Sequence, residues 1–324
     1  MSRMNPLIVG LLGCWLALAT AVVAAEPAVE GARFVTPKKS LIVMGGSALA
    51  FRNSTKQDAE VAFNAVLDET VINPDMKLNV SVYGSTEELY RAFDRGEVDG
   101  IFGSPLEFMG RMEHFGEAAM ALSYKGGVVR QSYVLLARKG ESGSTLQALR
   151  DKTLTLASFQ DVEELYLNTL LLRHGLPEIP VFFSRRLDAK NSNVSIMDVF
   201  FNKSDATVVR ESEFLTAVEL NPQIGRKLVV LDKSPPFLPA LGALRKTFDR
   251  EKVAQLMRDI ERVSDISQPG KILALTQATA IVSIPRSELQ SVIDLKREYQ
   301  SLRSRSATSP AISQGKAKDK RRAP

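Results

Sequence analysis

Short apolar runs that end in small residues alternate along this chain with segments of helical period, and that alternation limits the folds open to it. Ser40 to Met44 (SLIVM) runs into Gly45-Gly46-Ser47. Thr55 to Glu69 follows, with Ala59, Ala62, Phe63, Val66 and Leu67 on one helical face. Leu78 to Tyr83 is the next apolar run, after which Ser85 or Thr86 is placed to cap a helix that Gly96 stops. Val98 to Phe102 leads into Gly103-Ser104-Pro105, where proline suits a first helical turn. Leu106 to Phe115 then reads as helix and Ala119 to Leu122 as strand. Strands separated by helices of this length predict an α/β fold with mostly parallel sheets covered by helices.

The pattern restarts at Gln131 to Arg138 (QSYVLLAR), followed by a polar turn at Lys139 to Ser144. Thr153 to Ala157, Val181 to Phe183 and Ala206 to Val209 read as strands, with helices at Val162 to His174, Ile196 to Phe201 and Phe214 to Asn221. Lys227 to Leu231 closes this second unit. A short strand near Leu241 to Leu244 and helices at Arg250 to Ser264 and Ser287 to Leu302 complete the pattern. Two similar units joined by short connections predict two lobes with a cleft between them, where open α/β sheets present their ligand-binding loops.

The two ends differ from this body. Arg3 precedes an uncharged stretch from Leu7 to Ala25 that ends Ala-Val-Val-Ala-Ala, the order of a secretory signal, so residues 1–25 are expected to be a signal peptide cut after Ala25. The mature protein is then expected in the periplasm. An uncleaved membrane anchor and lipid attachment at Cys14, within Leu11-Leu12-Gly13-Cys14, are the alternatives. Residues 301–324 carry seven Lys or Arg against Asp319 alone, more positive charge than the whole chain's net +5. They lack an apolar period and are expected to form a disordered basic tail. The high basic count thus belongs to the tail. No aromatic residues interleave with it, so no nucleic-acid partner is expected.

Cys14 is the single cysteine, which leaves a mature chain without a disulfide or a thiolate. His114 and His174 have no ligand spacing with acidic partners, and no metal or other cofactor is implied. Neither a Ser-His-Asp nor a Cys-His arrangement can be placed. Asp161, Glu163 and Glu164 follow one another too closely to form an opposed acid–base pair, so no enzyme is expected.

Tyr83-Gly84-Ser85-Thr86-Glu87-Glu88-Leu89-Tyr90-Arg91-Ala92-Phe93-Asp94-Arg95-Gly96-Glu97-Val98-Asp99-Gly100-Ile101-Phe102-Gly103-Ser104-Pro105 resembles a segment of the periplasmic substrate-binding proteins of phosphonate, phosphite and phosphate ABC transporters. Asn202-Lys203-Ser204-Asp205-Ala206 is similar to that family's later turn into a strand. The resemblance spans about Ser40 to Glu288 and implies a two-lobed type 2 periplasmic-binding-protein-like fold. Lobe 1 would combine 34–125 with 233–300, and lobe 2 would be 130–230. The crossings would lie near Ser123 to Arg130, where Gly126 and Gly127 give freedom, and near Val229 to Lys233.

By that resemblance the chain is expected to be a non-catalytic, monomeric solute-binding protein holding a small anionic ligand between its lobes and serving a membrane permease. A ligand-sensing protein that engages a membrane sensor, with altered or lost anion specificity, is the alternative. Ser47, Ser85, Thr86 and Ser104 from one lobe, with Gln160, Asp161, Ser192 and Arg210 from the other, are the candidate binding residues. Hydroxyls and backbone N–H groups at such turns can hold an oxyanion, although each can equally cap its own helix. The second lobe departs from the family pattern. Ser158-Phe159-Gln160-Asp161 stands where phosphonate binders carry Ser-Thr-Ser-Gly, and Asp188-Ala189-Lys190-Asn191-Ser192 replaces a Gly-Ser-His turn. A carboxylate at 161 would repel a phosphoryl group, which points away from an ordinary alkylphosphonate.

Overall fold

The computed structural model describes residues 40–47, 56–58, 60, 61, 64, 76–140, 145–157, 161–262 and 278–308. The proposed signal, Gln160 and the chain beyond Thr308 lie outside these residues. Among them no helix is long and apolar enough to cross a membrane.

Two sheets organise the chain. The first is built from β1 (Ser40–Ser47), β2 (Met76–Tyr83), β3 (Gly100–Gly103), β4 (Phe115–Ser123), β10 (Leu241–Arg245) and β11 (Ala280–Pro285), in the order β11-β4-β10-β3-β1-β2. The second contains β5 (Tyr133–Arg138), β6 (Thr153–Ala157), β7 (Arg185–Ala189), β8 (Ala206–Arg210) and β9 (Leu228–Lys233), in the order β7-β6-β8-β5-β9. Each sheet is mixed rather than mostly parallel: β1 runs parallel to β2 and β3, and β6 to β7 and β8, while the pairings of β4, β5, β9, β10 and β11 are antiparallel. Strands joined by a helix within one lobe run parallel. Those on the other side of each sheet pair antiparallel, which the local apolar pattern does not encode.

The segment that carries the family resemblance has a structural counterpart in each lobe. Asp99 N donates to Val43 O at 2.7 Å, and Asp99 Oδ2 accepts from Val43 N at 2.8 Å. Asp205 repeats this with Thr153, through N to O at 2.9 Å and N to Oδ2 at 2.9 Å. An aspartate just ahead of a strand thus satisfies backbone groups of the neighbouring parallel strand, which would otherwise be unpaired at the sheet end.

Helices α1 (Thr86–Asp94), α2 (Pro105–Phe108), α3 (Asp161–Arg173), α4 (Ile179–Phe182), α5 (Ser192–Phe200), α6 (Glu211–Leu220), α7 (Pro222–Lys227), α8 (Arg250–Arg262) and α9 (Gln290–Thr308) connect and cover the strands. Three sequence expectations change here. The helix expected over Leu106 to Phe115 ends at Phe108, and Phe115, buried against the first core, opens β4. Residues 181–183, expected as strand, belong largely to α4, because Pro180 lies in its first turn and Ile179 and Phe182 are buried. The strand comes later, as the polar edge strand β7, whose solvated residues carry no apolar signal. Helix α9 runs to Thr308, so residues 301–308 of the expected tail are helical.

The chain leaves the first sheet after Ser123 and returns after Lys233. Gly126 and Gly127 hold φ of +83° and +76°, left-handed values that suit glycine, in a turn closed by Tyr124 N to Val128 O at 2.9 Å. The return crossing is not at Val229–Lys233, which is β9 paired with β5, but at residues 234–240. Pro235 and Pro236 have no N–H to extend the ladder. The two crossings bond to each other, Gln131 N to Phe237 O at 2.7 Å and Phe237 N to Gln131 O at 2.9 Å.

Helix α9 follows β11 in the chain yet packs on α3. Val292 and Leu295 join the core around Tyr166, Leu167, Leu170 and Leu171. Arg173 holds Glu298 through two bonds of 2.6 and 2.7 Å, Tyr299 donates to Glu178, and Arg303 lies 3.4 Å from Glu178.

Candidate functional site

Every candidate residue that the structure describes sits at or just beyond the C-terminal end of a strand that has a parallel partner. Ser47 ends β1, Ser85 and Thr86 follow β2, Ser104 follows β3, Asp161 opens the helix after β6, Ser192 follows β7, and Arg210 ends β8. Loops at those ends face the crevice of an open α/β sheet.

In the first lobe, three of the expected anion donors converge on a carboxylate of the chain itself. Ser47, 0% exposed, donates its hydroxyl to Glu107 Oε1. Thr86 Oγ1 donates to the same oxygen at 2.9 Å, and Ser104 N donates to Oε2 at 3.2 Å. Glu107 is the third residue of α2 and Ser104 its cap, so the last bond is half of a reciprocal capping box. Gly103 makes room for it: a Cβ added there would lie 2.3 Å from Glu107 Oε2. Sequence reasoning passed over Glu107. The signal was Ser104-Pro105-Leu106-Glu107, a capping-box spacing.

Ser85 is not part of this set. Its hydroxyl accepts from Glu88 N at 3.2 Å and caps α1. Ser192 lies one residue inside α5, which Asn191 caps, and its carbonyl accepts from Ser195 Oγ at 2.9 Å.

Across the cleft, Leu106 and Met109 of the first lobe pack against the core of the second, which brings Ser104 and Glu107 near Asp161. Asp161 is an exposed residue. Its carboxyl pKa is nonetheless raised, first by partial loss of water, with the nearby Ser104 hydroxyl opposing the rise and Glu107 adding to it. Glu163, two residues on and 6% exposed, is pushed up to about 8, first by burial and then by Asp161 and Glu213, against the pull of Arg210. Arg210 is already engaged: its Nη2 donates to Glu213 Oε1 at 2.6 Å, and its guanidinium lies 5.3 Å from the Tyr124 ring centre. Arg186 is committed elsewhere, pairing with Glu164 at 2.8 Å on the sheet edge.

The strand ends therefore carry four carboxyl side chains, Glu107, Asp161, Glu163 and Glu213, of which Glu163 and Glu213 interact with the Arg210 guanidinium. The Ser47 and Thr86 hydroxyls, expected to meet an incoming anion, already serve an internal carboxylate. A recess of about 290 Å³ between α2, α3 and α9 is lined by Leu106, Leu165, Lys296, Tyr299, Gln300, Arg303 and Ser304. Among the described residues no group of three or more His, Cys, Asp or Glu side chains could hold a metal ion.

Residues 52–289 match the model of a family described as ABC transporter, phosphonate, periplasmic substrate-binding protein. Among solved structures, a binding protein component of an ABC phosphonate transporter from Pseudomonas aeruginosa is 14% identical with a TM-score of 0.58, covering 84% of this chain and 90% of its own. PhnD1 from Prochlorococcus marinus in complex with methylphosphonate is 14% identical with a TM-score of 0.55, covering 82% of this chain and 99% of its own. A Xanthomonas citri protein bound to ATP is 15% identical with a TM-score of 0.55, covering 82% and 98%. At these identities the likeness is one of fold. A comparison with curated proteins gives no match.

Proposed function

Since the chain belongs to the family of phosphonate-type ABC transporter periplasmic substrate-binding proteins, we propose that it is an exported protein that closes two lobes over one small solute and presents it to a membrane partner. It carries out no chemistry of its own. The observation that supports this most is that Leu106 and Met109, beside the end of β3, pack against the core of the second lobe, so that loops of the two lobes meet at the strand ends where solutes enter such sheets. A solute that bridges these loops favours the closed form by differential affinity and stabilises the fold by mass action. Residues 1–25 support export, and the partner is a permease or a sensor.

The small anion expected from the sequence fits this cleft poorly. Glu107 and Asp161 stand where an oxyanion would need donors, and like charges repel at short range. Thermal unfolding of the mature protein against amino acids, polyamines, phosphate, phosphite and alkylphosphonates tests the reading. One solute class should raise the midpoint saturably, with little effect from phosphate or simple alkylphosphonates. No shift with any solute would refute a solute-binding role.

A further inference from the structure

Resting on that solute-binding reading, we propose that the molecule held between the lobes is a small organic ammonium cation, with Glu213 and Asp161 as its partners and Glu163 beside them. Arg210 is satisfied by Glu213 Oε1 and by the face of Tyr124. Glu107 is held by two hydroxyls and an amide, and Asp161 by the amide of Val162 at 2.9 Å. None of those donors carries a charge. The cleft is left with an excess of carboxyl groups over cations.

A second observation points to a missing donor. Glu213 Oε2 is buried and has no hydrogen-bond partner, on a side chain only 9% exposed. Buried carboxylate oxygens without donors are costly and rare, and an ammonium N–H satisfies one with a charge-assisted bond. An anion at the same place could only add repulsion. The carboxylates are too dispersed for a metal ion among the described residues. They suit a small molecule that spreads several N–H donors across the adjacent C-terminal ends of the parallel strands β6 and β8.

Binding should be linked to a proton. Glu163 faces Asp161 on its own helix, Arg210 and Glu213 from β8 and α6, and Tyr124 and Tyr133 from the crossing and β5. Burial holds its carboxyl protonated at neutral pH, at about 8, and a cation nearby favours the ionised form, so binding releases a proton.

Calorimetric titration of the mature protein with putrescine, spermidine, lysine and methylphosphonate, in HEPES and in PIPES at pH 7, tests this. One or more amines should bind at a single site with a buffer-dependent heat that reports proton release. Glu213→Gln and Asp161→Asn should each weaken that binding by about tenfold or more. The unfolding midpoint of each variant establishes that it is folded, and the proton release of the unaltered protein stands independently of either. Methylphosphonate binding more tightly than every amine overturns the inference and leaves the solute-binding reading intact. Amine binding unaffected by both substitutions, or without proton release, overturns the site. Silence with all four probes overturns the inference and counts against the reading beneath it.

Discussion

Thr86 Oγ1 donates to Glu107 Oε1 at 2.9 Å, so a hydroxyl expected to receive an incoming anion already holds a carboxylate of its own chain. With Ser47 and the Ser104 amide it forms a cradle whose occupant is covalently attached. Replacing the occupant should open the cradle. Glu107→Ala leaves Ser47 and Thr86 without their acceptor, at a cost of about 1–3 kcal/mol. Millimolar phosphate or methylphosphonate should then restore part of the lost midpoint in Glu107→Ala and do nothing for the unaltered protein. Equal responses in the two proteins would contradict the cradle.

The pH dependence of stability should carry the mark of Glu163. Its carboxyl titrates near 8 in the folded protein and at an ordinary value of about 4.3 when unfolded. Between those values the native state binds a proton that the unfolded state lacks. The stabilisation is full below the ordinary value and is lost as pH rises through about 8, at no more than about 1.4 kcal/mol per pH unit. Asp161, also raised, acts in the same direction. Glu163→Gln, which cannot ionise, should match the unaltered protein at pH 4 and exceed it at pH 8.5 in denaturant titrations. A parallel fall of both proteins would rule the effect out.

Helix α9 should contribute to stability through its apolar face. Leu295 is 3% exposed within the core around α3, so Leu295→Ala should cost about 2–5 kcal/mol. Arg297, exposed on the same helix, should change stability by under about 0.5 kcal/mol when replaced by alanine. Urea unfolding of both variants measures the contrast, and similar losses would place α9 differently.

The two ends should be separable from the fold. Mature protein recovered from intact cells should begin near Glu26, and N-terminal sequencing that finds Met1 on cytosolic protein would refute export. A chain ending at Thr308 should unfold at the midpoint of the full chain. Ending it at Leu302 also removes Arg303, whose pair with Glu178 is exposed, and should cost under about 1 kcal/mol.

The alternation of apolar runs and helical periods was enough to read the α/β class and most strands, because burial of one side of an element is written locally, as at Ser40–Met44 and Thr153–Ala157. Gly103-Ser104-Pro105 likewise announced a strand end and a helix start. Asp99 and Asp205 were visible as motif letters, although their shared task of receiving a neighbouring strand's N–H was not. Where an element's residues are polar, as in β7, or its packing partner is distant, as for α9 on α3, the local pattern is silent.

The sequence by itself determined which residues stand at the strand ends. It could not say what they bind, since a serine at a turn reads the same whether it faces solvent, a ligand or a carboxylate from another loop. Only the tertiary structure decided that Glu107 lies within reach of Ser47 and Thr86, 60 and 21 residues away in the chain. It also decided that Arg210 is neutralised by Glu213, and that Glu163 is buried beside Asp161. Hydrogen bonds and charge interactions act over a few ångströms in space, whatever the separation in sequence. The charge of the cleft is therefore a sum over loops that only folding brings together.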